Sequence, residues 1–198
     1  MVKGIIITTL LIPTLILGQK TDKQKVVEKG LLRSQAIISF GKLLDLEQTS
    51  MFIHGNAEYH ISAPITFRSD IFYYLQSDDA NGLSMNHQLF EGATYHIITK
   101  SNFDPYIGFQ PGLGLSKSKT SLLVSDAPAI ESYSKTSVNP LISGVIGFNY
   151  YATKFFHLFV DLRYILGTHL SDVKPVSLNE VRISFGLGLN LNLIKLFK

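Results

Sequence analysis

The stretch "VRISFGLGLNLNLIKLFK" occupies residues 181–198. Every second residue from Val181 to Leu193 is apolar: Val181, Ile183, Phe185, Leu187, Leu189, Leu191 and Leu193. Between them stand Arg182, Ser184, Gly186, Gly188, Asn190 and Asn192. Successive side chains of a strand point to opposite faces. One face of this segment is therefore as greasy as a core, and the other is polar or bare. The fold turns on which solvent meets the greasy face.

Working outward, the same alternation recurs across most of the chain. It predicts eight strands, at 31–42, 50–61, 65–76, 87–98, 105–117, 138–152, 155–168 and 179–193. In the third, Ile65, Phe67, Ile71, Tyr73 and Leu75 oppose Thr66, Arg68, Asp70 and Tyr74. In the seventh, Phe156, Leu158, Val160, Leu162, Tyr164 and Leu166 oppose His157, Asp161 and Arg163. In the fourth the assignment is ambiguous, because Glu91 and His96 fall on opposite faces. Strands this long exceed the about five or six residues usual in soluble sheets and match a tilted strand crossing a bilayer.

The connections support that reading. They are short at "SAP", "KSNFD" and around "TK", after strands two, four and six. They are longer and polar after strands three, five and seven, the longest being residues 117–139. Short turns belong on the periplasmic side of such a barrel and long loops outside. Aromatics gather near strand ends. Tyr59, Tyr95, Phe103, Tyr106, Tyr150, Tyr151, Phe155 and Phe156 lie at the short-turn side, and Phe40, Phe52, Phe72, Tyr73, Tyr74 and Phe90 at the other. Both sets are expected to form interfacial girdles. The expected fold is all-β, an eight-stranded antiparallel up-and-down transmembrane β-barrel with lipid outside and a polar lumen. A soluble ligand-binding barrel would have these faces reversed.

The N-terminus fits export. "MVKGIIITTLLIPTLILG", residues 1–18, has Lys3 before an apolar run from Ile5 to Leu17 and a small residue at Gly18. That is the layout of a cleaved signal peptide, and the run is too short for a spanning helix of about 20 residues. Residues 19–30 read as a flexible periplasmic tail, and 31–198 as the barrel. The expected location is the outer membrane.

Composition excludes several classes. The chain has 198 residues, a formal net charge of +3 and 17% charged residues. That basic excess is too small to argue for nucleic acid. There is no cysteine, hence no disulfide, thiol chemistry or thiolate metal site. No cofactor or metal is expected.

The segments "PYIGFQPGLGLS", "GVIGFNYYATKFFHLFVDLRY" and "RISFGLGLNLNL" resemble late strands of the small outer-membrane β-barrel domain family. That family is abundant in Bacteroidetes-type bacteria and related to the OmpA and OmpX type barrels. The resemblance covers residues 31–198, most strongly from Pro105 onward. It implies insertion by the barrel-insertion machinery. Members commonly end on an aromatic, whereas here Phe197 is penultimate.

Candidate chemistry is sparse. His169, Ser171 and Asp172 in "GTHLSD", with Glu180 nearby, could suggest a nucleophile and base, and barrel lipases that deacylate lipopolysaccharide use a similar His-x-Ser arrangement. Parity places His169 on the lumen face with Asp161 and Arg163, away from lipid, so no catalytic residue is assigned. "SDDANG", residues 77–82, lacks the ligand spacing of a calcium loop and reads as a turn. His54, Glu58 and His60 share a face but spread over about 20 Å, too far for one metal. The polar lumen set is Glu58, Arg68, Asp70, Asp161, Arg163 and Arg182, with Arg33 beside it. Its mixed sign predicts mutual pairing, because an unpaired charge in a tight interior is costly. Centring the second turn on Ala63 sets Glu58 opposite Arg68, and an ion pair between them is expected. The functional expectation is a non-enzymatic barrel with a side-chain-filled lumen and extracellular loops for structural or interaction roles, toward an unknown extracellular ligand. The alternatives are a narrow passive channel and, more remotely, a lipid A-modifying enzyme.

Overall fold

The computed structural model describes residues 26–77, 82–122, 130–170 and 175–196. The expected signal peptide of residues 1–18, most of the turn at 77–82, Ser171, Asp172, Phe197 and Lys198 lie outside them. Eight long strands form the wall: β1 (Leu31–Leu43), β2 (Thr49–His60), β3 (Ile65–Ser77), β4 (Gly82–His96), β5 (Phe103–Leu122), β7 (Ser137–Tyr151), β8 (Phe156–His169) and β10 (Glu180–Asn192). Two short pieces, β6 (Ile130–Tyr133) and β9 (Val176–Ser177), extend the loop end, and one helical turn, α1 (Leu193–Leu196), follows β10.

Every neighbouring pair is antiparallel, in the order β10-β1-β2-β3-β4-β5-β7-β8, and β8 pairs with β10 to close the wall. Closure satisfies the backbone groups that lipid would leave unpaired. Stepping through directly paired residues from Leu32 gives Tyr59, Phe67, Ala93, Phe109, Gly144, Tyr164, Val181 and then Lys42 on the starting strand. The displacement from Leu32 to Lys42 is the barrel's stagger. Over eight strands it tilts them by about 40° from the axis.

The alternation translates directly into surfaces. Phe185, Leu187, Leu189 and Leu191 of β10 are outward and exposed, as are Leu158, Leu162, Tyr164 and Leu166 of β8. Arg182, Ser184 and Asn190 of β10, and His157, Asp161 and Arg163 of β8, are buried inside. An outer wall that apolar would aggregate in water, so its solvent is lipid. On β4 the ambiguity resolves with His96 inside and Glu91 on the outer face.

Three expectations are corrected. The fourth strand begins at Gly82, five residues before the expected start, because a bulge between Leu83 and Met85 lets the pairing with β5 continue. Part of the expected loop at 117–139 is a hairpin, with Lys119 opposite Tyr133 and Leu122 opposite Ile130. Both aromatic sets are divided. Phe40, Tyr73, Tyr95, Phe103, Tyr150, Phe155 and Phe156 face outward, whereas Phe52, Phe72, Tyr74, Phe90, Tyr106 and Tyr151 are buried in the lumen. The inner ones share their strand parity with the polar set, and that parity outranks their place near a strand end.

Residues 26–30, within the segment expected as a tail, touch the barrel's short-turn end. Gly30 donates its N–H to the His60 carbonyl, and Glu28 accepts from Asn192 and Lys195.

Candidate functional site: the filled lumen

The lumen is built in tiers. Nearest the short turns, Glu58 on β2 faces Arg33 on β1, its direct register partner. Arg33 Nη2 lies 2.5 Å from Glu58 Oε2, and its Nη1 donates to Asp104 Oδ2 at 2.9 Å and to Tyr151 Oη at 2.8 Å. Glu58 Oε1 accepts from Thr66, Thr94 and His96. The His96 ring bridges two acids, with Nε2 2.8 Å from Glu58 and Nδ1 2.9 Å from Asp104. Arg33 Nη2 also lies 3.1 Å from His96 Nε2, so the ring sits at the junction of both acids and the arginine.

The middle tier centres on Asp70. Its carboxylate receives Arg68 Nε at 2.9 Å, Gln110 Nε2 at 2.9 Å and His54 Nε2 at 2.8 Å, and Arg163 Nη2 lies 2.8 Å away. Arg68 also reaches across the lumen to Asp161 on β8 at 2.7 Å and to the Tyr106 hydroxyl at 3.0 Å. Above it, Arg182 pairs with Glu180 at 2.6 Å and packs against Phe52 and Phe72, 3.8 and 4.1 Å from their centroids. Arg163 stands over Phe90 at 4.9 Å. The loop end is closed by Leu43, Tyr74, Leu83, Leu141, Ile165 and Leu178.

Glycines make this density possible. A methyl on Gly41 would overlap the Glu180 carboxylate, and one on Gly112 would overlap the Phe90 ring. Among the described residues the buried acids are Glu58, Asp70, Asp104, Asp161 and Glu180, against Arg33, Arg68, Arg163 and Arg182.

All six residues of the polar set are thus buried in the lumen, and Arg33 with them. The register expected for the second turn is present, with Glu58 opposite Arg68, Asn56 opposite Asp70 and His60 opposite Thr66. The expected Glu58–Arg68 ion pair is not. Glu58 turns to β1, and Arg68 turns along its own strand and across the lumen. Asp104, His96 and Tyr151 were not in the expected set, although each lies on the polar parity of its strand.

The remaining candidates are also placed. His169 is buried, with Nδ1 2.8 Å from Ser116 Oγ and Nε2 3.2 Å from Ser134 Oγ. His54, Glu58 and His60 serve separate partners, namely Asp70, Arg33 with His96, and the Ala63 carbonyl. Among the described residues no group of three or more His, Cys, Asp or Glu is arranged to hold a metal ion.

No family model matches this chain, and no curated protein matches it. Solved structures do. Neisserial surface protein A superposes over 82% of this chain and 98% of its own, with 17% identity and a TM-score of 0.61. The outer membrane protein OprG of Pseudomonas aeruginosa covers 83% and 97%, with 11% identity and a TM-score of 0.63. Ail, the attachment invasion locus protein of Yersinia pestis, covers 82% and 99%, with 9% identity and a TM-score of 0.52. The fold is that of an eight-stranded outer-membrane β-barrel, and the apolar outer wall embeds it in a bilayer.

Proposed function

We propose that the protein is a closed, non-enzymatic barrel of the outer membrane that holds its extracellular loops on a rigid, non-conducting stem. The observation that carries this reading is the burial of four arginine side chains inside the wall: Arg33, Arg68, Arg163 and Arg182 are at most 1% exposed. Each is tied to a carboxylate, so a hydrated ion passing through would have to break buried pairs, at several kcal/mol each. The aromatic tier and the apolar cap close the loop end further. The β5–β6 hairpin lies beyond the pairing of β5 with β7 and offers a surface for an extracellular ligand. Insertion by the barrel-assembly machinery belongs to the same reading. The setting of His169 between two serines inside the lumen supports a structural role for that ring over lipid-modifying chemistry.

Planar-bilayer recording tests this. The purified barrel is expected to leave the bilayer silent at voltages where a porin shows discrete steps. Reproducible unitary steps that shift on Arg33→Ala would replace the closed stem with a narrow channel.

A further inference from the structure

The ladder between β3 and β4 ends at Phe72 opposite Gln88, although both strands continue toward the loops. Beyond that point the Tyr74 N–H donates to His87 Nδ1 at 3.0 Å in place of a ladder bond. The imidazole stacks on Tyr73 at 4.4 Å and 23°. The consequence is a groove of about 330 Å³ in the outer wall, lined by Tyr73, His87, Leu89, Leu113, Leu115 and Val138. Because Nδ1 accepts, the neutral ring carries its proton on Nε2 and keeps one donor for a partner in an otherwise apolar groove.

The outward row of β5 runs Leu113, Leu115, Lys117, Lys119 toward the loops, and Lys117 sits opposite Met85, two residues from His87. Both lysine ammoniums lie over the Tyr133 ring, at 4.9 and 6.0 Å. The outward carboxylate of Glu91 lies on β4 on the opposite side of Leu89, toward the short turns. The groove is therefore flanked by lysines toward the loops and by an acid on the other side. An occupant with an apolar body and an anionic head fits in one orientation only. We infer that this groove is a binding site for one lipid of the loop-side leaflet, with an acyl chain against Leu89, Leu113 and Leu115 and a net-anionic phosphorylated headgroup at Lys117 and Lys119. The site goes beyond the closed-stem reading and needs only that the outer wall face lipid. His87 Nε2 supplies a donor to the ester or glycerol oxygens between chain and head. Two lysines near a membrane surface favour an anionic lipid by roughly fivefold each.

The absence of tryptophan from the chain makes a single reporter clean. Val138→Trp places it at the groove's edge on β7, and Leu187→Trp places it on β10, two strands away and outside the groove. Each variant is folded into phosphatidylcholine vesicles containing either brominated phosphatidylglycerol or brominated phosphatidylcholine at equal mole fraction. Quenching by both lipids at Leu187→Trp establishes insertion independently of the groove. At Val138→Trp the expected result is several-fold stronger apparent binding of the brominated phosphatidylglycerol, falling to the Leu187→Trp ratio when Lys117→Gln and Lys119→Gln are added. Gel migration of the unheated protein verifies that this triple variant is folded. The same ratio at both reporters, a preference that survives loss of the lysines, or a Val138→Trp reporter shielded from both lipids by a second copy would each overturn the site.

Discussion

Arg33→Met removes the cation that joins Glu58 to Asp104. The two carboxylates do not suffer equally. Asp104 keeps His96, Tyr151 and Asn149 as donors. Glu58 keeps Thr66, Thr94 and His96 on Oε1, but Oε2 has Arg33 as its ion-pair partner, at 2.5 Å. Breaking a buried pair by removing one member costs about 3–5 kcal/mol, because the survivor stays charged and dry. With so many donors left, the lower end, about 3 kcal/mol, is expected here. In a Glu58→Gln background the stranded charge is gone, and the same Arg33→Met change should cost about 1–3 kcal/mol less, which is the coupling energy of a double-mutant cycle. The parallel cycle of Glu58→Gln with Arg68→Met should show clearly smaller coupling, because those two groups face each other across the strands without a direct bond. Urea unfolding in phospholipid vesicles, followed by gel migration of unheated samples, measures all of these. Coupling between Glu58 and Arg68 as large as that between Arg33 and Glu58 would refute the assignment of partners, and a cost below about 1 kcal/mol for Arg33→Met would refute the dry lumen.

Three further outcomes are expected in the same assay. Leu187→Arg puts a cation on the lipid face of β10, where Leu187 is 52% exposed, and should cost about 2–4 kcal/mol. Glu91→Leu removes an outward carboxylate flanked by Leu89 and Ala93 on the same face, and should stabilise the barrel by about 1 kcal/mol; no change, or a loss, would mean Glu91 does not face the acyl chains. Gly41→Ala pushes a methyl into the Glu180 carboxylate, and should cost about 1–3 kcal/mol by overpacking; measured within a Glu180→Ala background, the same change should cost little.

What could be read from the residues, and what could not, follows from how many choices each feature leaves. A strand has only two faces. Val181 to Leu193 therefore assigns β10, and the clean alternation of β8 assigns its neighbour, without knowledge of any contact. The turn at Ser62–Pro64 likewise leaves one register that matches faces and sets unlike charges opposite, and Glu58 does lie opposite Arg68. The same parity would have placed Phe52 with His54, Phe72 with Asp70, and Tyr106 with Gln110. Grouping those rings by position near strand ends lost information the alternation already carried. Glu91 is different in kind. No local pattern puts a carboxylate on a lipid face, and only the long pairing of β4 with both neighbours holds it there.

Ion-pair partners were beyond such reading for a geometric reason. Inside a narrow closed wall, a residue meets two flanking strands, its own face two residues along, and the far wall. Glu58 had an arginine directly opposite on each side, Arg33 on β1 and Arg68 on β3. Pair propensity alone ranks the two equally. The tie is broken by acids that the β2–β3 hairpin does not contain. Arg68 is drawn away by Asp70 and Asp161, the latter from β8 on the far wall. Arg33 is held toward Glu58 by Asp104, which arrives from β5. The lumen charges thus form one system in which each partner choice depends on strands remote in sequence. For that reason the Arg33 cycle tests the whole tiered arrangement and not a single contact.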